Sequence, residues 1–379
     1  MIPMKLRIAI TSMISILVAM GLGRFALTPQ MPHMLAEGQV NLTQASLLAA
    51  ANFLGYLVGA FEIIYAEHHH LILRLRGGLW GSVLILLISA FLPPNSEGIY
   101  INLILRFIAG IASAWALVLI SSWLGQELSK EHALRTLAFA GVGIGIFLTG
   151  IIAMVLDSLH TNASLNWLVF GAVAFVLVLM TYGNLPRSFP QATAVKPFNL
   201  THNEYRLTIS YAFCGVGYVL PATFLSKLAV DQFSHLSLVA DAFWPLFGLA
   251  VIMGMSLLAW QKEIESPCKL LAVVFIIQGL GILACTLVHG VLGLLLGAML
   301  VGGSFMVILQ LTMRLGAEMA PEHVRAITAI LTTAFAIGQF IGPMLSALST
   351  HLLSTMTPAL LVAAAGSFLA AFLVIGITF

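Results

Sequence analysis

The stretch "LGQELSKEH", from Leu124 to His132, has a near copy, "LGAEMAPEH", from Leu315 to His323. Both follow a long apolar run, and both place a glycine, two glutamates and a histidine at the same spacing. Two glycines at 21 and 23 recur at 215 and 217, at nearly the same offset. Because these matches lie at equivalent points of the chain, they indicate two similar halves.

Composition sets the class of protein. Of the 379 residues, 60% are hydrophobic and 8% are charged, whereas a soluble domain is about half apolar and a quarter charged. The apolar runs are long and continuous, which favours membrane-spanning helices over the alternating segments of about ten residues in a barrel. The three cysteines are scattered, so neither a disulfide framework nor a metal cluster is expected.

Glycines, prolines and charge clusters divide the chain into twelve segments long enough to span a membrane, which we number helices 1 to 12. They are predicted at 8–32, 43–66, 72–92, 99–122, 135–157, 164–185, 206–228, 237–260, 270–289, 291–313, 326–350 and 357–378. Lysine and arginine fall before helix 1 and in every second loop, and only Lys227 lies on the opposite side. The positive-inside rule therefore predicts that both termini are cytoplasmic.

The longest loop lies between helices 6 and 7. It is polar, contains three prolines and runs from Leu185 to Arg206. We therefore predict a six-helix bundle at 1–185, a cytoplasmic linker at 186–205 and a second six-helix bundle at 206–379.

Local motifs and this organisation resemble the major facilitator superfamily. Helix 4 carries "LILRFIAGIASA", helix 5 the glycine-rich "GVGIGIFLTG" and helix 11 "GQFIGP", although the usual Gly, Asp and Arg signature after helix 2 is absent. The stretch "GLGRFALTPQMP", 21–32, resembles the opening of a bacterial branch of the YbfB type. The resemblance implies an all-α inner-membrane transporter with two pseudo-symmetric bundles, whose helices 1, 4, 7 and 10 line a central cavity.

Each of these four helices carries a polar stripe at helical spacing, and such a stripe with small residues is also typical of close helix packing. The substrate-binding candidates are Arg24, Thr28, Asn102, Arg106, Tyr211, Tyr218 and Gln310. Arg24 either faces a wet cavity or extends to the headgroup region, because a charge in lipid is costly. Arg106 either binds the solute or makes a fixed contact inside the protein. We expect both arginines to face one cavity and to hold an anionic group.

Two acidic residues are the candidates for proton coupling, and one histidine run suggests metal. Asp241 either cycles its proton or caps helix 8, and a carboxylate near a helix start favours the cap slightly. Glu62, near the end of helix 2, is also considered, although a gate or interface role fits it better. The run "HHH" at 68–70 is interpreted as a solvated loop, because adjacent histidines do not share a helical face.

The sequence predicts a secondary active transporter that moves a small organic solute by alternating access. We expect it to be a proton-coupled monomer in the cell inner membrane, with a possible anionic substrate; export of amphipathic compounds is the alternative. A membrane-embedded enzyme is disfavoured because we find no Gly-x-Ser-x-Gly, no His-Glu-x-x-His and no paired intramembrane aspartates in the sequence. It also lacks a nucleotide-binding loop, and we expect no cofactor, metal or nucleic-acid partner.

Overall fold

The computed structural model describes residues 3–93, 96–189, 199–233, 236–261 and 266–377. Within these ranges, twelve helices are long and apolar enough to cross a membrane. Ten of them are continuous: Leu42–Tyr65 (helix 2), Leu71–Ser89 (3), Ser96–Glu127 (4), Ala163–Tyr182 (6), His202–Gln232 (7), Ser237–Trp260 (8), Pro267–Leu287 (9), Val291–Met319 (10), Val324–Leu353 (11) and Thr357–Ile375 (12). The predicted all-α architecture is confirmed.

Helices 1 and 5 are interrupted. Helix 1 consists of Met4–Ile16, the π-helical turn Leu17–Leu22 and a last segment, Leu27–Ala36. Pro29 lies in the first turn of that last segment, where a backbone N–H would have no partner within the segment. Helix 5 is formed by His132–Ala138 and Gly141–Ser158.

Several helices continue beyond their predicted ends. Helices 4, 7 and 10 are each longer than predicted at one or both ends, because polar residues that favour helix extend them past the apolar run. Side-chain caps fix several starts: Asn41 opens helix 2 and Thr201 opens helix 7, each in a capping box. Short 3-10 turns at His68–His70 and Pro321–His323 precede helices 3 and 11.

The repeat has a structural counterpart. A β-carbon on Gly21 would lie 2.4 Å from Gly145 of helix 5, and one on Gly215 would lie 2.4 Å from the Phe335 carbonyl of helix 11. A β-carbon on Gly23 would lie 2.9 Å from the Ser82 hydroxyl of helix 3, and one on Gly217 would lie 2.9 Å from the Gln278 amide of helix 9. Equivalent glycines therefore make equivalent close contacts in two pseudo-symmetric sets of six helices.

The two sets meet mainly where helix 1 packs on 7, helix 2 on 11 and helix 5 on 8, and helix 1 also contacts helix 8. The bundle limits at 185 and 206 stay a prediction, and residues 190–198 of the proposed linker lie outside the described ranges. The cytoplasmic position of the linker and both termini also stays a prediction. Labelling of a Thr193→Cys variant in intact cells by an impermeant reagent would contradict it.

Candidate functional site

Arg24 lies at the interruption of helix 1, deep between the two sets of helices. Its side chain is 4% exposed, so it is buried within the protein and does not extend to the headgroup region. Its guanidinium carbon lies 4.3 Å from the ring centre of Tyr56 and 4.6 Å from that of Phe53, both on helix 2, and 5.5 Å from that of Phe25. These rings stabilise the cation by cation–π attraction.

The hydrogen bonding of this guanidinium is incomplete. Nη1 lies 4.0 Å from the Met20 sulfur, whereas Nε and Nη2 are buried without a hydrogen-bond partner. Among the described residues, no carboxylate lies within ion-pair distance of it. Arg24 is therefore a buried cation that interacts with the Tyr56 hydroxyl and has two nitrogens, Nε and Nη2, without a hydrogen-bond partner.

Four aromatic rings from the second set form a nearly parallel stack, which we call the aromatic ladder. Its members, in order, are Tyr211, Phe335, Tyr218 and Phe305, from helices 7, 11, 7 and 10. Successive ring centres lie 4.5, 5.6 and 4.8 Å apart, with interplanar angles of 11°, 6° and 5°. Tyr211 and Tyr218 lie about two helical turns apart, so Phe335 fits between them.

The ladder lies beside Arg24. The Arg24 guanidinium is close enough to the Tyr218 hydroxyl to interact with it electrostatically. The Tyr56 hydroxyl of helix 2 is close enough to interact with the hydroxyls of Tyr211 and Tyr218. Gln339 donates a hydrogen bond to the Tyr218 hydroxyl, whereas its own carbonyl oxygen has no partner. The Tyr211 hydroxyl is also buried and unpaired. The structure thus places Tyr218 near Arg24, adds Tyr56 and Gln339, and joins Tyr211 to this group through the ladder and Tyr56.

The site is closed in this conformation. The Thr28 hydroxyl of helix 1 donates to the Ala222 carbonyl of helix 7 at 2.7 Å and joins the two sets. The cavity at Arg24, which is also lined by Thr28 and Asn52, measures ≈ 10 Å³. This is about the volume of one water-sized probe, so a solute needs the two sets to move apart.

Arg106 lies elsewhere, which corrects the expectation that both arginines face one cavity. Its Nη2 donates to the Ser89 hydroxyl of helix 3 at 2.8 Å, and its guanidinium carbon lies 4.9 Å from the Trp167 ring of helix 6. The residue is fully buried inside the first set of helices. The reason is the phase of helix 4, which turns this side chain towards helices 3 and 6. Asn102, one turn earlier, is buried with an unpaired side-chain oxygen.

Gln310 is also separated from the ladder. It is half-buried and lies five residues beyond Phe305 on helix 10, which rotates it by about 140° around the helix axis. Among the described residues, no ring contact or hydrogen bond joins Gln310 to the ladder. Gln310 therefore lies apart from the group formed by Arg24 and the ladder.

Glu62 makes a fixed set of contacts. It accepts hydrogen bonds from Nε of Arg74 at 2.9 Å and from the indole of Trp115 at 2.8 Å. Its carboxylate is therefore engaged by helices 3 and 4 of its own set. These contacts fit the gate or interface role of Glu62, and both roles stay predictions.

Asp241 does not cap helix 8, contrary to the favoured expectation. The helix begins at Ser237 with Leu236 as its cap residue, and no side-chain cap is present. Instead the Asp241 carboxyl group lies close enough to that of Asp157, at the end of helix 5, for the two to interact electrostatically, and its Oδ2 is buried without a hydrogen-bond partner. His33 of helix 1 lies 4.0 Å from Asp157. The structure thus pairs two aspartates that the sequence did not reveal as a pair.

The histidine run forms a 3-10 turn in which His69 and His70 are exposed but do not diverge. His69 and His70 both turn towards Glu67, with nitrogen to oxygen distances of 3.3 and 3.9 Å. The potential ligand atoms of the three residues lie within 4.8 Å of one another, and all three residues are exposed. The expectation that adjacent histidines diverge is wrong here, because the 3-10 turn brings both rings to one side.

The fold and the site define the class: this is a transporter of the major facilitator superfamily. A family model described as "Uncharacterised MFS-type transporter YbfB" matches residues 16–375, and the chain belongs to that family. Among solved structures, a point mutant of the nucleoside transporter NupG is similar, with a TM-score of 0.70. It shares 13% identity over 98% of this chain and 99% of the other, which shows the shared fold. No curated protein matches.

Proposed function

We propose that this transporter moves a small anionic organic solute by alternating access, with the anionic group held by Arg24. The observation that carries the proposal is the position of a buried, unpaired guanidinium between the two sets of helices. A buried charge without a partner is costly, and a solute carboxylate would supply the missing partner through short, strong hydrogen bonds. The aromatic ladder would cover the rest of the solute.

We further propose that proton coupling uses Asp241 together with Asp157. These carboxyl groups meet across the helix 5–helix 8 pair, so separation of the two sets would separate them. Two carboxylates in contact repel when both are ionised, and such a pair can share one proton. The contact is therefore arranged to bind a proton when the sets close and to release it when they part.

The charged groups around this pair bear on its titration. His33 faces Asp157 from helix 1, and Glu37 at the end of helix 1 accepts from the Ala163 backbone at 2.7 Å. A positive charge on His33 would oppose proton binding by the pair.

One observation favours the alternative, export of amphipathic compounds. A groove of ≈ 860 Å³ lies at one end of helices 2, 3 and 11, and Phe61 and Tyr65 on its wall are about half exposed or more. An amphipathic compound could reach such a groove from the bilayer.

Binding and flux measurements test the proposed function. Thermal unfolding of the purified protein would be followed with panels of organic anions, cations and neutral compounds, since a ligand of the folded state raises its apparent stability. We expect stabilisation by anions in the wild type and its loss in Arg24→Gln. Stabilisation by cations alone would contradict the proposal. Uptake of the active anion into proteoliposomes, without its chemical conversion, separates a transporter from an enzyme.

A further inference from the structure

The free donors of Arg24 have a specific geometry. Nε and Nη2 are adjacent atoms of the planar guanidinium, and their N–H bonds point in the same direction from one edge of the group. This edge matches the two oxygens of a single carboxylate, which it can bind in bidentate fashion. The third nitrogen lies 4.0 Å from the Met20 sulfur, and the rings of Phe53 and Tyr56 lie 4.6 and 4.3 Å from the guanidinium carbon. The unpaired edge therefore favours a carboxylate.

The walls of the site are aromatic on both sides of the interface. Phe25, Phe53 and Tyr56 of the first set lie around the guanidinium. The aromatic ladder of the second set approaches Phe25 at Phe305 and Tyr56 at its two tyrosines. Phe25 also packs 6.3 Å from Trp244 and 6.4 Å from Phe305, which extends the aromatic surface across the interface. Flat rings pack on such surfaces with more favourable energy than area alone predicts.

Close helix packing builds the ladder. A β-carbon on Gly338 would lie 2.0 Å from the Ala212 carbonyl, so helices 7 and 11 approach in a way that no larger residue allows. This approach places Phe335 between Tyr211 and Tyr218. The aromatic face is therefore a built feature of the second set and is not formed by long, mobile side chains.

Two further polar atoms are unpaired beside the ladder. The Gln339 carbonyl oxygen can only accept a hydrogen bond, and the Tyr211 hydroxyl can donate or accept one. Gln339 and Tyr211 are 0% and 1% exposed, and leaving such groups unpaired costs free energy. A solute with a hydrogen-bond donor away from its carboxylate would satisfy the Gln339 oxygen.

We propose that the solute is an aromatic carboxylate with a hydrogen-bond donor on its ring. The carboxylate binds the free edge of Arg24, the ring packs on the aromatic ladder, and the ring substituent bonds Gln339 or Tyr211. This assignment rests on the proposed function, because it names the substrate class of the same site.

Binding to the purified full-length chain tests the assignment with three probes. Para-hydroxybenzoate has the carboxylate, the ring and the donor; cyclohexanecarboxylate has the carboxylate on a saturated ring; uridine has a flat ring and no carboxylate. We expect para-hydroxybenzoate to bind about tenfold more tightly than cyclohexanecarboxylate, from two or so edge-to-face contacts between its ring and the rings of the ladder. We expect no stabilisation by uridine.

The outcomes separate the two proposals. Equal binding of both carboxylates would overturn the aromatic assignment and leave the anion site intact. Binding of uridine alone would overturn both. The absence of binding by all three probes would overturn the aromatic assignment, and the wider anion panel would then decide the proposed function.

Two variants locate the effect. Phe335→Leu removes the central ring of the ladder and should reduce the preference for para-hydroxybenzoate over cyclohexanecarboxylate. Tyr211→Phe keeps every ring, so it should retain that preference and reduce only the advantage of para-hydroxybenzoate over benzoate, by up to about tenfold. Thermal unfolding without ligand controls for folding. An unchanged preference in a folded Phe335→Leu variant would contradict the proposed position of the ring.

Discussion

Two arginines of this chain, Arg24 and Arg106, are both buried but have different surroundings. Both have unpaired guanidinium nitrogens and no carboxylate partner among the described residues. Arg24 lies where the two sets of helices meet, whereas Arg106 lies within the first set, bonded to Ser89 and packed on Trp167. Burial of a charge alone therefore does not indicate a ligand site. A ligand must also be able to reach the charge. In a closed structure, this requires a position at an interface whose two sides can move apart.

The largest expected effect comes from removal of the Arg24 charge. We expect Arg24→Gln to weaken binding of para-hydroxybenzoate by at least about 30-fold, because truncation of a buried, charge-assisted contact costs about 2 kcal/mol or more. The matched variant Arg106→Gln should bind within a fewfold of the wild type. Titration calorimetry on both purified variants measures the difference. An equal loss in the two variants would remove the distinction between the two regions.

The second effect concerns coupling at the helix 5–helix 8 contact. We expect Asp241→Asn to lose uphill transport and to keep downhill exchange, because an amide cannot release and rebind the proton. Uptake into proteoliposomes with and without a pH gradient measures both modes. The control is Asp231→Asn, since Asp231 is exposed and paired with Lys227. Uphill transport at the wild-type rate in Asp241→Asn would exclude this residue from coupling.

The smallest effect is expected for the stability of Arg106→Leu. Removal of a buried charge without a carboxylate partner offsets the lost cation–π and hydrogen-bond contacts. Ser89 keeps its hydrogen bond to the Ile85 carbonyl at 2.7 Å. We expect the midpoint of thermal unfolding to shift by no more than a few degrees. A large decrease would show that Arg106 holds helices 3, 4 and 6 together.

The sequence predicted the fold better than the site. The number of spans follows from the long apolar runs and the one-sided basic residues, because lipid allows few architectures. The symmetry follows from the repeat at 124–132 and 315–323. The interruption of helix 1 was not predicted, since a π-helical turn has no simple sequence pattern. Arg24, Tyr211 and Tyr218 were selected by helical phase, and the structure brings them together.

Residues contributed by other helices could not be found in this way. Tyr56, Phe335 and Gln339 join the site through tertiary packing, and the motif "GQFIGP" was noted without attention to its glutamine. Arg106 was misplaced because the phase within one helix does not say which neighbours surround it. The Asp157–Asp241 contact joins two helices from different halves, and a single sequence carries no signal for that pairing.

The central claim is that Arg24 binds the negative charge of the solute. It is tested most directly by titrating para-hydroxybenzoate and its neutral amide, para-hydroxybenzamide, into the wild type and Arg24→Gln. We predict that the wild type prefers the carboxylate by at least about tenfold, since hydrogen bonds to charged groups contribute about 1.5–3 kcal/mol, and that Arg24→Gln loses this preference. A carboxylate preference of the same size in both proteins would show that Arg24 does not recognise the charge.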